Sequence, residues 1–153
     1  IGAIDETGNQ SWELWCLGTG DEWESRVNHP KIKHFGFVQT ADLKDILKNS
    51  GVFVLPSHRE PWGVVVHEMA VAGFPLICSN KIGASSQFLV DGKNGMMFPA
   101  TDSASLKEVF IRFMRLPQKQ QITMGKESHR LGMEHTPEKW SATLLGMIRD
   151  SKV

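Results

Sequence analysis

Short apolar runs alternate along the chain with longer segments in which apolar residues recur three and four positions apart. The runs predict β-strands, and the longer segments predict helices with one face turned toward a core. Most runs lack strict apolar–polar alternation, which is typical of a parallel sheet covered on both faces. The pattern therefore predicts a three-layer α/β domain with a parallel sheet. The predicted strands are 13–17, 32–38, 52–56, 75–79 and 95–98, and the predicted helices are 41–49, 62–72, 85–90, 103–116, one opened by Pro117, and 139–150.

Length and composition predict one ordinary domain over residues 1–153. Hydrophobic residues make up 41% of the 153 positions, and 17 basic side chains balance 17 acidic ones. A neutral chain without a basic run is not expected to have nucleic acid or an anionic membrane as its main partner. We also expect no signal peptide, because no basic start is followed by an apolar stretch.

The cysteines and histidines predict neither a disulfide nor a metal site. Cys16 and Cys78 each lie in an apolar run, which is typical of buried, reduced cysteines. The six histidines lack paired metal spacing, so we expect no metal and no other cofactor. Reduced cysteines favour a cytoplasmic location, and any peripheral membrane association would come from another domain.

The loop after the third predicted strand carries the strongest candidate chemistry. Parallel sheets bind ligands outside the carboxyl ends of their strands, and Glu60 lies in such a loop. Pro61 would stand at the start of the next helix, where the following three backbone amides would be unpaired and partially positive. Gly63 would let a ligand approach the backbone closely.

Glu68 is the second candidate, because it lies in the middle of a helix that is apolar nearly all round. Such a helix is expected to be buried, and a buried carboxylate needs strong partners. Taken singly, Glu60 could simply complement the helix dipole, and Glu68 could simply pair with a basic side chain. Together, two carboxylates around one helix start at the ligand-binding edge of a sheet favour a site.

Several motifs in sequence order carry a resemblance to a known family. Two glutamates separated by seven residues follow a strand that ends in Pro-Ser, and Met-Ala-x-x-Gly-x-Pro comes next. The chain resembles the retaining family 4 glycosyltransferases over residues 13–150. These enzymes have the GT-B fold, in which two Rossmann-like domains face each other across a cleft. The other matching segments are 17–20, 35–38, 82–90 and 91–98.

The resemblance implies a role for each matching residue around a nucleoside-diphosphate sugar. Glu60 would face the donor sugar as the catalytic-centre residue, and Glu68 would accept hydrogen bonds from the two ribose hydroxyls. The remaining binding residues would follow the family pattern: Pro61, Trp62, Gly63 and Val64 at the sugar and diphosphate, Gly36, Phe37 and Val38 against the base, Gly83 and Ala84 on the sugar-diphosphate side, and Gly18 in the first loop.

Two departures from the family pattern affect these expectations. Ala84 and Gln87 stand where family members usually have Gly and Glu, which leaves the donor open. The family's domain also begins with a strand and a loop that carries a diphosphate-binding Arg and Lys, and this chain starts after them. Ile1–Asp5 would be the end of the helix that follows. Without that first strand, we expect strands 13–17 and 52–56 to pair directly, or another chain to fill the gap.

The resemblance thus implies the C-terminal, donor-binding half of a retaining, metal-independent glycosyltransferase, inactive without its acceptor-binding N-terminal domain. The acceptor would be a glycan or a lipid. Two alternatives stay open: a non-catalytic nucleotide-binding or interaction domain, and a sugar-nucleotide epimerase of the same fold. A dinucleotide fingerprint at Gly18-Thr19-Gly20 is disfavoured, because Trp23 stands where the third glycine belongs.

Overall fold

The protein is an α/β domain with parallel strands, seen in a computed structural model that describes residues 1–8 and 11–150. Five strands and seven α-helices follow the predicted order within these residues. A short 3₁₀ turn, Asp21–Trp23, replaces a crossover helix between the first two strands. The strands are β1 Leu14–Leu17, β2 Ile32–Gly36, β3 Phe53–Leu55, β4 Leu76–Ser79 and β5 Gly95–Phe98. The helices are α1 Gly2–Thr7, α2 Thr40–Lys48, α3 Val64–Val71, α4 Ser85–Phe88, α5 Ser103–Arg115, α6 Gln118–Gly132 and α7 Pro137–Asp150.

The strands form two separate parallel ladders. One ladder has the order β1-β2 and the other has the order β3-β4-β5. The predicted direct pairing of β1 with β3 is therefore wrong. Residues 2–7 are helical and supply no strand between them, whereas residues 9 and 10 lie outside the described residues. Within the described chain, β1 and β3 each have a partner on one side only.

The larger ladder is the middle layer of the predicted three-layer arrangement. Leu76 and Cys78 of β4 pack with residues of α3 and α4 on one face. Ile77, between them, packs on the opposite face with residues of α5 and α6, because successive side chains of a strand point to opposite faces. All four residues of β4 are buried. The outer strand β3 is only half-buried, contrary to the prediction of a fully buried strand.

The smaller ladder is attached to the rest of the domain through the N-terminal segment. Helix α1 packs on α5, where Glu6 and Lys107 form an ion pair of 2.9 Å. Trp12 packs edge-on against Phe113 of α5, with ring centroids 5.9 Å apart. These contacts join the two ladders through helices and one aromatic side chain. Across the described residues, no helix has the length and apolar character that a bilayer span requires.

Asn94 joins the loop before β5 to helix α6 in the buried interior. Its amide nitrogen donates to the carbonyl of Phe88 at 2.8 Å and to the hydroxyl of Ser128 at 3.0 Å. Its amide oxygen accepts the backbone N–H of Val90 at 2.7 Å. The Asn94 side chain is fully buried. Because water does not reach it, these polar groups depend on one another for their hydrogen bonds.

Replacing Asn94 by Ala is expected to lower the free energy of unfolding by about 2–4 kcal/mol, because it leaves several inward-facing polar groups without partners. Chemical denaturation followed by circular dichroism measures the change. Asn49→Ala is the matched control: the exposed Asn49 side chain donates to the Asp45 carbonyl and should cost less than about 1 kcal/mol. Equal losses in the two variants would contradict the importance of the buried network.

Candidate functional site

The loop after β3 and the loop after β4 meet at the carboxyl edge of the larger ladder and form one unit. The N–H of Glu60 donates to the carbonyl of Lys81 at 2.9 Å, and the N–H of Gly83 donates to the carbonyl of Glu60 at 3.1 Å. The N–H of Ala84 donates to the carbonyl of Trp62 at 2.7 Å. These bonds place Glu60 at the edge where parallel sheets bind ligands.

A further bond joins the same loops closer to the strands. The hydroxyl of Ser79, at the end of β4, donates to the carbonyl of Ser57 at 2.5 Å. The sequence analysis did not identify Ser57, Ser79, Lys81 or Ile82 as supports of the site. The sequence did contain a signal for the two serines. Ser57 comes just after β3, Ser79 ends β4, and these two strands are parallel neighbours. Backbone partners such as Lys81 leave no such signal.

Two glycines allow the loops to approach this closely. A side chain at Gly83 would place its Cβ 2.2 Å from the carbonyl oxygen of Pro61, well inside contact distance. Gly63 has a φ of 86°, and a Cβ there would lie 3.1 Å from both Glu60 Cγ and Ile82 Cγ2. Gly63 therefore has a conformational and a steric role in shaping the loop, and Gly83 has a steric one.

Helix α3 begins at Val64, so the predicted start near Trp62 with Pro61 in the first turn is wrong. The left-handed backbone of Gly63 precedes the helix and cannot be part of it. The N–H of Trp62, predicted to be free for a ligand, donates to Glu60 Oε1 at 3.3 Å. Within the described residues, the backbone amides of Gly63, Val64 and Val65 have no hydrogen-bond acceptor. Free amides at a helix start attract anions.

Glu68 is exposed, which corrects the prediction of a wholly buried helix. Helix α3 buries Val66, Met69 and Ala70 but exposes the face that carries Val64 and Glu68. No other described element covers that face, so its apolar character did not lead to burial. The Glu68 carboxylate has no hydrogen-bond or ion-pair partner among the described side chains and backbone groups, and it lies one turn beyond the free amides.

The predicted residues of the smaller ladder meet each other but not this site. The N–H of Gly18 donates to the carbonyl of Gly36 at 2.7 Å, which joins the carboxyl ends of β1 and β2. Phe37 follows with 75% of its surface exposed, and Val38 is half-buried. Within the described chain, no hydrogen bond or ring contact connects these residues to the loop that carries Glu60.

Two side chains near the site, His67 and Cys78, have packing roles, and the burial of Cys78 agrees with the sequence analysis. The His67 ring stacks on Phe88 with centroids 4.4 Å apart, and its Nε2 is 3.0 Å from the Gly132 carbonyl. Burial raises the pKa of the Cys78 thiol to about 11. A thiol of this kind is a core group rather than a nucleophile.

No group of three metal-binding side chains occurs in the part of the chain that the structure describes. The polar groups that converge at the site are instead one half-buried carboxylate, one exposed carboxylate and the free amides at the start of α3. Carboxylates accept hydrogen bonds from hydroxyl groups, and amides donate to anionic oxygens. The arrangement is therefore suited to a ligand that carries both kinds of group.

The fold and the loop pair at its strand ends define a Rossmann-like α/β domain similar to the GT-B glycosyltransferases. The sequence profile of the family Glycosyl transferases group 1 matches residues 21–130, well over half of the chain. The chain belongs to this family, and the resemblance drawn from its motifs is confirmed.

Curated relatives support the same family, and a solved structure shares the fold. The chain is 35% identical over 94 residues to "Glycogen synthase" of Mycobacterium tuberculosis, covering 58% of the chain and 22% of that protein. It is 29% identical over 127 residues to "Phosphatidyl-myo-inositol mannosyltransferase" of Mycobacterium leprae, and the match covers 77% of the chain and 33% of that protein. The structure of Anabaena HepE in complex with UDP-glucose matches with a TM-score of 0.72 at 14% identity. The match covers 95% of the chain and 44% of HepE. The chain thus spans about a fifth to a third of these two curated relatives.

Replacing Gly83 by Ala is expected to separate the two loops, because the new methyl group would meet the Pro61 carbonyl. We expect a loss of roughly 2–3 kcal/mol in unfolding free energy and faster amide exchange at Glu60 and Ala84 in hydrogen-exchange NMR. Gly20→Ala is the matched control, since nothing lies within 4 Å of its Cβ position. Unchanged exchange in Gly83→Ala would contradict the close approach.

The two thiols are expected to react at different rates with a thiol reagent at pH 8. Cys16 is half-buried, whereas Cys78 is completely buried with its pKa raised to about 11, so Cys78 should react only after unfolding. A colorimetric thiol assay on native Cys16→Ser should therefore show almost no fast reaction. The denatured Cys16→Ser variant is the control, and its Cys78 should react fully, releasing one equivalent of the coloured product per chain. A fast thiol in native Cys16→Ser would contradict the buried position of Cys78.

Proposed function

We propose that the chain is the C-terminal, donor-binding half of a glycosyltransferase that takes a sugar from a nucleoside-diphosphate sugar. The observation that carries the proposal is the unpartnered Glu68 carboxylate, on the same helix face as Val64 and one turn from the free amides of α3. An anion-binding helix start and a carboxylate at this separation fit the two polar parts of one nucleotide.

The diphosphate would bind at the start of α3. The amides of Gly63 and Val64 are free and carry the partial positive charge of a helix N-terminus. Glu68 lies four residues beyond Val64, about 6 Å further along the helix, where it would accept hydrogen bonds from the two ribose hydroxyls. A carboxylate presents two oxygens to a vicinal diol, so this pairing is chemically matched.

The sugar would lie beside Glu60. One carboxylate oxygen of Glu60 accepts the Trp62 N–H, and the other has no partner among the described residues. The free oxygen would accept a hydrogen bond from a sugar hydroxyl near the transfer centre. Gly83 and Ala84 would act through the backbone, since their bonds hold the loop that carries Glu60. Phe37, which is exposed after β2, would lie against the base.

The reaction would proceed with retention and without a metal, as in the family that the chain resembles. The chain's own contribution would be to position the donor and to stabilise the negative charge on the departing diphosphate. An N-terminal domain would bind the glycan or lipid acceptor, and the whole enzyme would act in the cytoplasm or at the membrane surface. Support comes from relatives named glycogen synthase and mannosyltransferase, and from a similar structure that holds UDP-glucose.

Isothermal titration of the chain with UDP, GDP and ADP and with their hexose derivatives tests the proposal. We expect one base to be preferred. Glu68→Gln should weaken that nucleotide about tenfold or more, because hydrogen bonds to a carboxylate contribute about 1.5–3 kcal/mol. Glu108→Gln is the matched control: it makes the same change at an exposed position of α5 and should leave the affinity unchanged.

The alternatives make different predictions in the same titrations. A non-catalytic nucleotide-binding domain would bind the plain nucleotide and its hexose derivative equally well. Equal binding by wild type and Glu68→Gln would contradict the role of Glu68 in holding the ribose. No binding by a chain with a native circular dichroism spectrum would contradict nucleotide binding by these residues. An epimerase would interconvert the hexose of the bound donor without an acceptor, which product analysis by chromatography detects.

A further inference from the structure

The side chain of Trp62 stands apart from the other tryptophans near the two ladders. Trp12 packs on Phe113, Trp15 packs on Phe35, and Trp23 carries Arg26 over its ring. The Trp62 indole is 44% exposed and has no ring contact or side-chain hydrogen bond with any described residue. A single exposed apolar side chain is common on protein surfaces, so exposure alone carries no functional meaning.

The backbone of Trp62 is nevertheless held on both sides. Its N–H donates to Glu60 Oε1 at 3.3 Å, and its carbonyl accepts the Ala84 N–H at 2.7 Å. A Cβ added at Gly83 would lie 3.3 Å from the Trp62 Cα, so the two loops approach each other closely at Trp62. An indole on a fixed backbone has only two side-chain torsions left to order when a ligand binds.

We propose that the indole of Trp62 is a stacking surface for the pyranose ring that Glu60 holds, and that it thereby determines sugar specificity. The inference rests on the proposed function and assigns to the side chain a role that the occupied backbone N–H cannot have. A pyranose presents a face of C–H groups, and an indole offers a large apolar face together with one N–H donor. An axial hydroxyl interrupts that face, so the indole would favour hexoses with an uninterrupted one.

The increment in affinity that the sugar contributes is the quantity to measure. The dissociation constant of the preferred nucleoside diphosphate is compared with that of its hexose derivative in wild type, Trp62→Ala and Trp62→Phe. We expect Trp62→Ala to bind the nucleoside diphosphate normally. The ratio of the two dissociation constants, which measures the sugar increment, should fall by up to about tenfold. Trp62→Phe should restore part of it. Trp140→Ala is the matched control, since Trp140 is 70% exposed on α7 and should change neither constant.

The sugar could come from the donor or from the acceptor, and indole N–H signals in NMR spectra distinguish the two. The Trp62 signal, identified by its loss in Trp62→Phe, should shift with the hexose derivative but not with the nucleoside diphosphate alone. A shift caused only by methyl α-glucopyranoside added to the nucleotide-bound chain would assign the stacked ring to the acceptor. In that case Trp62→Ala would keep the normal sugar increment in the donor titrations, which would contradict stacking on the donor sugar.

Three results would overturn the inference. The first is an equal loss of affinity for the nucleoside diphosphate and its hexose derivative in Trp62→Ala, which would show that Trp62 only supports the loop. The second is a Trp62 signal that responds to neither sugar. The third is a normal sugar increment in Trp62→Ala without a glycoside shift. In all three cases the wild-type chain still binds the nucleotide and Glu68→Gln still weakens that binding, so these results are distinguishable from a failure of the proposed function.

Discussion

The hydrogen-bonded contact between the loops after β3 and β4 is the constraint on which the site depends. Glu60 both donates to Lys81 and accepts from Gly83 through its backbone, so the direction of its side chain is set by a neighbouring strand connection. That contact exists because Gly83 has no Cβ to meet Pro61. The same contact holds Trp62 from the other side. The Glu60 carboxylate, the start of α3 and the exposed Trp62 indole therefore share one hydrogen-bonded support.

The exposed face of α3 explains why the binding groups remain free. A carboxylate inside a core would need an internal partner, whereas Glu68 lies on the surface, and neither of its oxygens has a partner among the described residues. The neighbouring His67 faces the other way and packs between Phe88 and Gly132. One helix thus has an exposed face and a packing face, and the consecutive residues Glu68 and His67 lie on different ones.

Much of the fold was predictable from the sequence, because strand and helix order follows from local hydrophobic spacing. The buried β4 was predicted correctly. The start of α3 was predicted wrongly, since Gly63 adopts a left-handed conformation that composition does not reveal. The exposure of Glu68 was also missed, because an apolar helix is buried only where another element covers it.

The sequence by itself determined the class of the protein: the α/β order, the family motifs and the two glutamates separated by seven residues. These features are local in the chain or repeat across a family, so they can be read without coordinates. Only the tertiary structure decided that the strands form two ladders, that the Trp62 N–H is occupied and that Glu68 is free. Each of these depends on which surfaces meet across long sequence separations, and hydrophobic spacing along one segment contains no information about its partner.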